Sequence, residues 1–470
     1  MEIEIEVVSN ETIKPSSPTP ESLRKYQLSF LDQIAPPIFM PLVYFYQTME
    51  IEIEVVSNET IKPSSPTPES LRKYQLSFLD QIAPPIFMPL VYFYPADAKF
   101  SSPEKSNHLK KSLSQVLSRF YPLAGQLIDD LYVDCNDEGA PYVEAVANCS
   151  LSQVVTNPIP KNMDKFLPYK VDEVQNLGMA VQVTYFQCGG TAVGVLISHK
   201  IADALSLFLV ANTWAAVARN GNYDDVPSPK FEGAKIFPPR DAAGFKPSTG
   251  IVKEQLVTKI FTFPASKISA LQERYSGGTA ELPQRRPSRV EALSAFIWTR
   301  FISATQMKAD PNKIYTVHHA VNLRTRLDPP LSEYHFGNIS RLAIAMPSVG
   351  VDGGSELLQK VREAIRAVDG EYVAQLRQGD KHLNFLKERM AQANKGELVT
   401  FNFTSLCRFP LYEADFGWGK PVWVGSAGLV YKNLVTFIDT AAGNGIEAWI
   451  NLKKEDMEKF EADLELQEFL

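Results

Sequence analysis

The chain has 470 residues, of which 45% are hydrophobic, which is enough to build two globular domains with large cores. The formal net charge is −7 at pH 7 and Lys and Arg are not concentrated in any dense run, so a surface that follows nucleic-acid phosphates is not expected. The four cysteines are scattered, with no Cys-x-x-Cys and no zinc-ligand spacing, which favours reduced thiols and gives no metal site.

The N-terminus is acidic, beginning Met1-Glu-Ile-Glu-Ile-Glu6, where a signal or transit peptide would be basic. The apolar run at 38–46 is short and is interrupted by Pro41, so it is not a membrane span. We therefore expect a soluble, cytoplasmic and monomeric protein that binds small molecules and has neither a membrane nor a nucleic acid as a partner.

Residues 1–46 recur without a change as residues 49–94, joined by Gln47-Thr48. Genuine repeat architectures drift in sequence and come in longer series, so this pair indicates a very recent duplication or an assembly error. Only the second copy continues directly into the rest of the chain, and only one copy can take the native position. We predict that Met49 is the working start and that residues 1–48 are dispensable; the alternative is an interaction arm.

In the first half, apolar residues recur with the helical period of 3.6 residues from Pro103 to Phe120, which predicts a helix that ends at Tyr121-Pro122. A hairpin is predicted around Gly189-Gly190, and an Ala- and Leu-rich helix from Ala202 to Ala218. Strands are predicted at 131–135, 141–146, 180–187 and 191–197.

In the second half, the pattern predicts a long helix over much of Ser355–Asn394. Strands are predicted at 255–263, 314–321, 423–431, 434–440 and 446–451, with helices at 265–275, 289–305 and the C-terminus. Strands and helices mix in both halves, which indicates an α/β protein of two layered domains with a site between them. The predicted organisation is a duplicated segment at 1–48, an N-terminal domain at 49–230, a crossover linker rich in Pro and Gly at 231–253, and a C-terminal domain at 254–470.

Several catalytic classes lack their motifs in this sequence. It contains no G-x-S-x-G elbow, no P-loop, no G-x-G-x-x-G after a strand and no H-E-x-x-H. The chemistry must therefore lie in other residues. Those that stand out are His199-Lys-Ile-Ala-Asp203 at a strand exit and Asp415-Phe-Gly-Trp-Gly419 far downstream.

Together these two motifs resemble the BAHD family of plant acyl-CoA-dependent acyltransferases, which pair H-x-x-x-D with D-F-G-W-G. The resemblance extends from Met49 to Leu470 and includes Phe120-Tyr-Pro-Leu-Ala-Gly125, Gly337-Asn338 and Ile446-Glu-Ala-Trp449. It implies two similar-sized mixed-sheet domains of the chloramphenicol acetyltransferase type with a solvent channel between them. The chain looks most similar to the branch that O-acetylates alkaloid and terpenoid alcohols.

An imidazole suits the reaction that this family carries out. An alcohol is a poor nucleophile until its proton is removed, and His199, with an ordinary pKa near 6.5, could act as the general base. The resemblance implies direct attack on the thioester in a ternary complex, with acyl-CoA, most simply acetyl-CoA, as co-substrate and no permanently bound cofactor. It also implies that Asp203 forms a structural salt bridge with an arginine, for which Arg289 matches the expected position. Direct stabilisation of His199 by Asp203 is the alternative.

The Asp415 motif places an acid among glycines and equally describes a tight, packed turn. The resemblance favours structural support by Asp415, Gly417 and Gly419 over a part in the chemistry. Thr404 matches a threonine given the role of oxyanion donor in related enzymes. Many relatives have Trp where this chain has Leu406, so the second donor is in doubt; the alternative for Thr404 is a strand hydroxyl bonded to backbone.

The phosphates of CoA need local cations on an acidic protein. The candidates are Arg324, Arg326, Lys253 and Lys259, although each could be an ordinary surface charge. The predicted function is transfer of an acyl group to a hydroxyl of a hydrophobic plant metabolite, an alkaloid, terpenoid or aromatic alcohol. Two alternatives stay open, namely N-acylation of an amine and a catalytically silent binding protein on the same scaffold.

Overall fold

The computed structural model of the chain describes residues 51–173, 176–221, 226–241, 255–276, 285–307, 310–349, 353–378, 381–428 and 431–470. Residues from Ile51 onward form one compact unit. Ile51 is the third residue of the second copy of the repeat, so nearly all of that copy belongs to this unit. The duplicated segment at 1–48, which comprises the first copy and its junction, lies outside the described residues, and its dispensability stays a prediction.

The N-terminal half is built on a six-stranded sheet in which only β6 (Ala140–Ala147) and β7 (Met179–Phe186) run parallel. The predicted turn at Gly189-Gly190 joins two of its central strands, and Gly189 has a φ of +82° there. This half also contains a small three-stranded sheet. In spatial order the large sheet is β1 (Ile53–Ile61), β6 (Ala140–Ala147), β7 (Met179–Phe186), β8 (Thr191–Ser198), β3 (Phe87–Tyr94) and β13 (Trp423–Gly425), and the small one is β2 (Lys73–Gln75), β5 (Tyr132–Asp134) and β4 (Gln126–Ile128).

Two long helices of this half pack against one another, and the sequence predicts both. The buried Trp214 indole donates to the Leu109 carbonyl and the Ser112 hydroxyl at 3.2 and 3.1 Å, which ties the helices together. The second of them begins after its N-cap Asp203 and ends at Gly221, whose φ of +65° suits glycine. The helices are α1 (Phe78–Gln81), α2 (Ser102–Arg119), α3 (Leu151–Val155), α4 (Pro160–Met163), α5 (Ala204–Asn220) and α6 (Gly233–Ile236).

The C-terminal half has its own six-stranded sheet, which is covered on one face by helices. On that face Phe401 packs against Trp298 and Phe301 of α8 (Arg289–Ala304), and Phe403 packs against Phe401. The spatial order of the strands is β11 (Ser340–Ala345), β10 (Ile314–Asn322), β12 (Leu398–Ser405), β14 (Leu434–Asp439), β15 (Gly445–Lys453) and β9 (Leu256–Pro264), and the helices are α7 (Ala265–Arg274), α8 (Arg289–Ala304), α9 (Gly353–Ala367), α10 (Gly370–Gln378), α11 (Lys381–Asn394), α12 (Lys454–Glu461) and α13 (Leu464–Phe469).

The single long helix predicted over 355–394 is wrong, because this stretch contains α9, α10 and α11. The first break precedes Gly370, where the Asp369 carboxylate accepts the Tyr372 N–H at 2.9 Å and caps the new helix. A continuous apolar period conceals such a break, since a short cap changes the apolar pattern very little.

The C-terminal half is not one uninterrupted stretch of chain. Trp423–Gly425 forms β13, which pairs with β3 in the N-terminal sheet. Buried residues on either side of it, Leu411, Phe416 and Ala427 among them, belong to the N-terminal core. The predicted strand at 423–431 is therefore only three residues long and joins the other sheet. This exchange of chain holds the two halves together.

One face of the C-terminal sheet is turned toward the N-terminal half. Thr404, Thr436, Trp449 and Ile260 are register neighbours across β12, β14, β15 and β9, so they share a face. Trp449 is fully buried in the N-terminal core, and Ile260 packs against that core. The two mixed-sheet halves therefore meet along this face. No helix among the described residues is long and apolar enough to cross a membrane.

Candidate active site

His199 lies in the short loop between β8 and α5. The backbone N–H of His199 donates to the Ile86 carbonyl at 2.8 Å, which anchors the loop beside the start of β3. The neighbouring Lys200 is fully buried and donates to the carbonyls of Gln81 and Ala83 at 2.8 and 3.2 Å. His199 as a residue is partly exposed. The loop is thus held by buried hydrogen bonds, whereas the residue that carries the imidazole stays partly accessible.

The hydrogen bonds of the imidazole define its tautomer. Nδ1 lies 3.0 Å from the Ala202 carbonyl oxygen and 3.1 Å from Oδ1 of Asn338. Both partners are acceptors, so Nδ1 must carry the proton and Nε2 is left with a lone pair. Burial lowers the pKa of His199, which favours the neutral ring at pH 7.

The orientation of the Asn338 amide follows from its other contacts. Its Nδ2 donates to Oδ1 of Asp80 at 2.9 Å and to the His199 carbonyl at 2.7 Å, which turns its oxygen toward the ring. Asp80 also accepts the Asn338 backbone N–H at 2.9 Å and is held in a capping box by Ser77. Burial raises the pKa of Asp80, although these hydrogen bonds oppose the rise.

Asp203 caps α5, and the hydrogen bonds of its carboxylate go to groups other than the His199 ring. Its oxygens accept from Nη1 and Nη2 of Arg324 at 2.7 and 3.1 Å, from the Ser206 N–H at 2.9 Å and from the Ile339 N–H at 3.1 Å. Burial raises the pKa of Asp203, but the Arg324 guanidinium outweighs it, and the pKa is lowered overall. The carboxylate is therefore ionised and occupied by these four donors.

The predicted pairing of Asp203 with Arg289 is wrong. Arg289 begins α8 and donates to Asp439 at the end of β14 at 2.8 Å, in a partly exposed pair. The arginine of Asp203 is Arg324, which follows β10 in a short 3₁₀ turn. Both arginines lie in the C-terminal half, and it is the packing of the two halves that brings Arg324 to α5.

The predicted role of Arg324 in binding a CoA phosphate is wrong too. Its side chain is 2% exposed. Besides Asp203, it donates through Nε and Nη2 to the His335 carbonyl at 3.1 and 2.8 Å and through Nη2 to the Ser206 hydroxyl at 3.2 Å. The hydrogen bonds of the guanidinium therefore hold the 335–339 segment, which carries Asn338, against the start of α5.

Lys259 is paired with Glu461 of α12. It alternates with Ile260 along β9 and so lies on the helix-covered face of the sheet, opposite the face turned to the N-terminal half. Its predicted role with CoA therefore has no support in the geometry. Arg326 is partly exposed and has no ion pair with any described residue, whereas Lys253 falls outside the described residues.

The Asp415 motif closes on itself. Oδ1 of Asp415 accepts the N–H groups of Gly417 and Gly419 at 2.8 and 2.9 Å, and those glycines have φ values of +110° and +99°. Trp418 is 7% exposed and stacks on Phe416, which is buried in the N-terminal core. A side chain with a Cβ rarely adopts such φ values, so this loop needs its glycines.

The Asp415 loop sits at the far end of α5 from His199. The second oxygen of Asp415 is 3.7 Å from Nη1 of Arg219, in the last turn of that helix, whereas Asp203 caps the first. The two ends are about 24 Å apart at a rise of 1.5 Å per residue. Asp415 is therefore remote from the imidazole.

Thr404 lies near the end of β12, on the face that is turned to the N-terminal half. The residue is partly exposed, and its hydroxyl has no hydrogen-bond partner within the described stretches of chain. Leu406, two residues on, packs against the N-terminal core. The hydroxyl is thus available as a donor on the side of the sheet where the halves meet.

Asn338 and Asp80 were not assigned a role from the sequence. Gly337-Asn338 was noted only as a match to the family, and Ser77-Phe-Leu-Asp80 fits a capping box. Either signal could have drawn attention to these residues. Their meeting at His199 depends on the contact of the two halves, which no local pattern encodes.

Comparisons with known proteins agree with this arrangement. Residues 51–467 match the model of the family described as the Transferase family. Stemmadenine O-acetyltransferase from Catharanthus roseus and vinorine synthase from Rauvolfia serpentina are each 37% identical to the chain, over 98% of this chain and 97% of theirs.

Two solved structures share the fold. The crystal structure of vinorine synthase superposes with a TM-score of 0.77 at 35% identity, covering 89% of this chain and 98% of that one. The structure of F. sporotrichioides TRI101 complexed with coenzyme A and T-2 has a TM-score of 0.65 at 16% identity, covering 84% and 98%, and shows likeness of fold alone. The chain belongs to the Transferase family of BAHD acyltransferases and is an acyl-CoA-dependent acyltransferase.

Proposed function

We propose that the protein transfers an acetyl group from acetyl-CoA to a hydroxyl of a hydrophobic plant metabolite, an alkaloid, terpenoid or aromatic alcohol. The names of the relatives support this class of reaction, since they include an O-acetyltransferase of stemmadenine and an O-acetyltransferase of limonoids that is 36% identical. The observation that carries the proposal is the state of His199, whose Nδ1 faces two acceptors while Nε2 is left unprotonated.

In the proposed mechanism, Nε2 of His199 removes the proton of the acceptor hydroxyl as its oxygen attacks the thioester carbonyl. The Nδ1 proton stays on the ring, where Ala202 and Asn338 stabilise the imidazolium that forms. A positioned base of this kind contributes about 10²- to 10⁴-fold. As the intermediate collapses, the C–S bond breaks, CoA leaves as a thiolate, and the imidazolium then gives its proton to that sulfur, which regenerates the neutral ring.

The leaving group of the reaction is a thiol. A thiol of pKa about 8.5 departs as a thiolate with little help from an acid. No covalent acyl-enzyme is needed, so alcohol and acyl-CoA would react directly while both are bound. The proposed mechanism therefore uses one base and one oxyanion donor.

Thr404 is the proposed oxyanion donor. Its hydroxyl lies on the face that meets the N-terminal half, the half that contains His199. Loss of one such donor costs about 2.7–4 kcal/mol in characterised enzymes. Thr404→Val should therefore lower kcat by about 10²-fold or more, and unchanged turnover would remove Thr404 from the mechanism.

Asp203 and Arg324 are proposed as positioning residues. Their buried ion pair joins the start of α5 to the segment that carries Asn338, so it places the amide that orients the ring. Asp415, Gly417 and Gly419 are proposed to shape the loop at the other end of α5. For the CoA phosphates, Arg326 and Lys253 remain the proposed cations.

The test is release of free thiol from acetyl-CoA across a panel of plant alcohols and amines. We expect release with hydrophobic alcohols and its loss in His199→Ala by about 10²-fold or more. Persistence of release at the full rate in His199→Ala would overturn the mechanism. Turnover of amines alone would move the reaction to N-acylation. The fold of the variant is checked by its thermal melting.

A further inference from the structure

Asp80 is a fully buried carboxyl group on α1, and each of its hydrogen bonds comes from a donor. Oδ1 accepts the backbone N–H and the Nδ2 of Asn338, both at 2.9 Å. Oδ2 accepts the backbone N–H and the hydroxyl of Ser77 at 2.8 and 2.6 Å. N–H groups cannot accept a hydrogen bond from a protonated carboxyl. Although burial raises the pKa of Asp80, its contacts therefore suit the ionised form.

Asp203 is the other buried carboxylate near His199, and its charge is balanced. Nη1 and Nη2 of Arg324 donate to its two oxygens at 2.7 and 3.1 Å. The charge of Asp203 acts in the direction that raises the pKa of His199, but the guanidinium beside it offsets this effect. Asp203 is therefore a weak counter-ion for the ring.

Lys200, the buried cation next to His199 in sequence, is bound elsewhere. Its ammonium donates to the carbonyls of Gln81 and Ala83 at 2.8 and 3.2 Å and lies 3.3 Å from Oδ1 of Asp130. These acceptors match the N–H groups of an ammonium. Burial lowers the pKa of Lys200, and the charges of Asp130 and Asp80 oppose this. Asp80 itself forms no ion pair with any residue that the structure describes.

Asn338 connects the charge of Asp80 to the ring of His199. Nδ2 of the amide donates to Asp80, and Oδ1 of the same amide lies 3.1 Å from Nδ1 of His199. A hydrogen bond to a carboxylate polarises the amide, so the amide oxygen becomes a stronger acceptor. Tyr74 also lies near Asp80, but burial and the Asp80 charge raise its pKa, so it is neutral. The unbalanced charge that faces the ring is that of Asp80.

We propose that Asp80 is a positioning residue whose carboxylate, acting through Asn338, is the counter-ion of the His199 imidazolium. The proposal rests on the proposed role of His199 as the base. The proton moves from the acceptor hydroxyl to Nε2 while the Nδ1 proton stays in place. The ring thus gains one positive charge, and the negative charge of Asp80 stabilises it.

The test is Asp80→Asn, which removes the charge and keeps the size of the side chain. Without its counter-ion the imidazolium is less stable, so the acidic limb of kcat/KM should move down by about one pH unit. A weaker base should also lower kcat, by about three- to tenfold. Damage to the site has the opposite sign, because water that enters would move the limb up toward the value of about 6.5 for an ordinary histidine. An unmoved or raised limb would overturn the proposal.

Two control variants separate the charge of Asp80 from its part in the helix cap. Ser77→Ala removes one donor of the same cap but leaves the carboxylate and its other donors, so the acidic limb should keep its position. Glu291→Gln neutralises the carboxylate of the corresponding capping box on α8, in the other half, and should leave turnover unchanged. A downward shift in either control as large as that in Asp80→Asn would contradict the proposal.

Nitrogen NMR titration of the His199 ring measures the same shift without turnover. A lowered ring pKa in Asp80→Asn would support the counter-ion even if His199→Ala kept its full rate of thiol release, so the two proposals fail separately. If Asp80→Asn does not fold, ¹³C NMR of the aspartate carboxyls in the wild type takes its place, with Asp80→Glu used for assignment. We expect Asp80 to be ionised at neutral pH, and a protonated Asp80 would overturn the proposal.

Discussion

A carboxylate from a motif that looks catalytic lies at each end of α5, and the two carboxylates stabilise different parts of the structure. At the N-terminal end, Asp203 is 5% exposed and makes a two-point ion pair with Arg324, whose nearest contact is 2.7 Å. At the C-terminal end, the Asp415 carboxylate accepts hydrogen bonds from its own loop and lies 3.7 Å from Arg219, in a partly exposed pair.

The difference shows what each carboxylate stabilises. Asp203 accepts N–H groups from its own helix and from the 335–339 segment of the other half, so it aligns two distant parts of the chain. Asp415 accepts N–H groups only two and four residues away, so it defines a local turn. Neither is bonded to the His199 ring, which is held by Ala202 and Asn338. A motif acid thus need not be a catalytic acid.

The largest effect is expected at the buried pair. Arg324→Met should lower the free energy of unfolding by about 3–5 kcal/mol, because it leaves the Asp203 carboxylate buried without its cation. Arg289→Met is the matched control, and since its pair with Asp439 is partly exposed it should cost less than about 1 kcal/mol. Chemical denaturation measures both. Equal losses would contradict the assignment of Arg324 as the partner of Asp203.

An intermediate effect is expected at the Asp415 loop. Gly417→Ala and Gly419→Ala should each cost about 1–3 kcal/mol of stability, since a φ near +100° strains any residue with a Cβ. Gly370→Ala, at a position of ordinary φ, serves as the control. Turnover by the folded glycine variants should match that of the wild type. A loss of turnover in a fully stable variant, as large as that expected of His199→Ala, would give this loop a part in the chemistry.

A smaller effect is expected at Asn338. Asn338→Ala removes one of the two acceptors of Nδ1, but the Ala202 carbonyl remains. One neutral hydrogen bond contributes about 0.5–1.5 kcal/mol, so kcat should fall by less than about tenfold. Steady-state thiol release measures this. A loss as large as that of His199→Ala would mean that the amide does more than orient the ring.

The smallest expected effect is a displacement of the pH profile. Because burial lowers the pKa of His199, the ring stays neutral to a lower pH than an ordinary histidine. The acidic limb of kcat/KM should therefore lie below about 6.5. The unfolded chain binds that proton more readily, so the same group favours unfolding as the pH falls through this range. An acidic limb above about 7 would contradict the lowered pKa.

Much of the fold could be predicted from local patterns. The α/β class with two mixed sheets is confirmed, and α2, α5 and the hairpin at Gly189-Gly190 were placed within a few residues. Apolar periodicity and turn residues predict these elements from the local sequence. The crossing of β13 into the N-terminal sheet was missed, because a three-residue strand carries almost no pattern.

The hydrogen-bond partners of the site residues could not be predicted from local sequence patterns. His199 and Asp203 were found because they are close in sequence, whereas Arg324 and Asn338 reach them from the other half of the protein. Arg289 and Arg324 are alike as residues, and only the packing decides which one is buried at α5. A pairing between distant segments is a property of the tertiary fold.

The central claim is that His199 keeps its proton on Nδ1 and offers Nε2 as the base. Nitrogen NMR of protein labelled with ¹⁵N-histidine measures this directly, with the His199→Ala spectrum used to assign the ring among the six histidines. At neutral pH we predict a neutral His199 ring with a protonated Nδ1 and an unprotonated Nε2. A ring protonated on Nε2 alone, or on both nitrogens, would contradict the account.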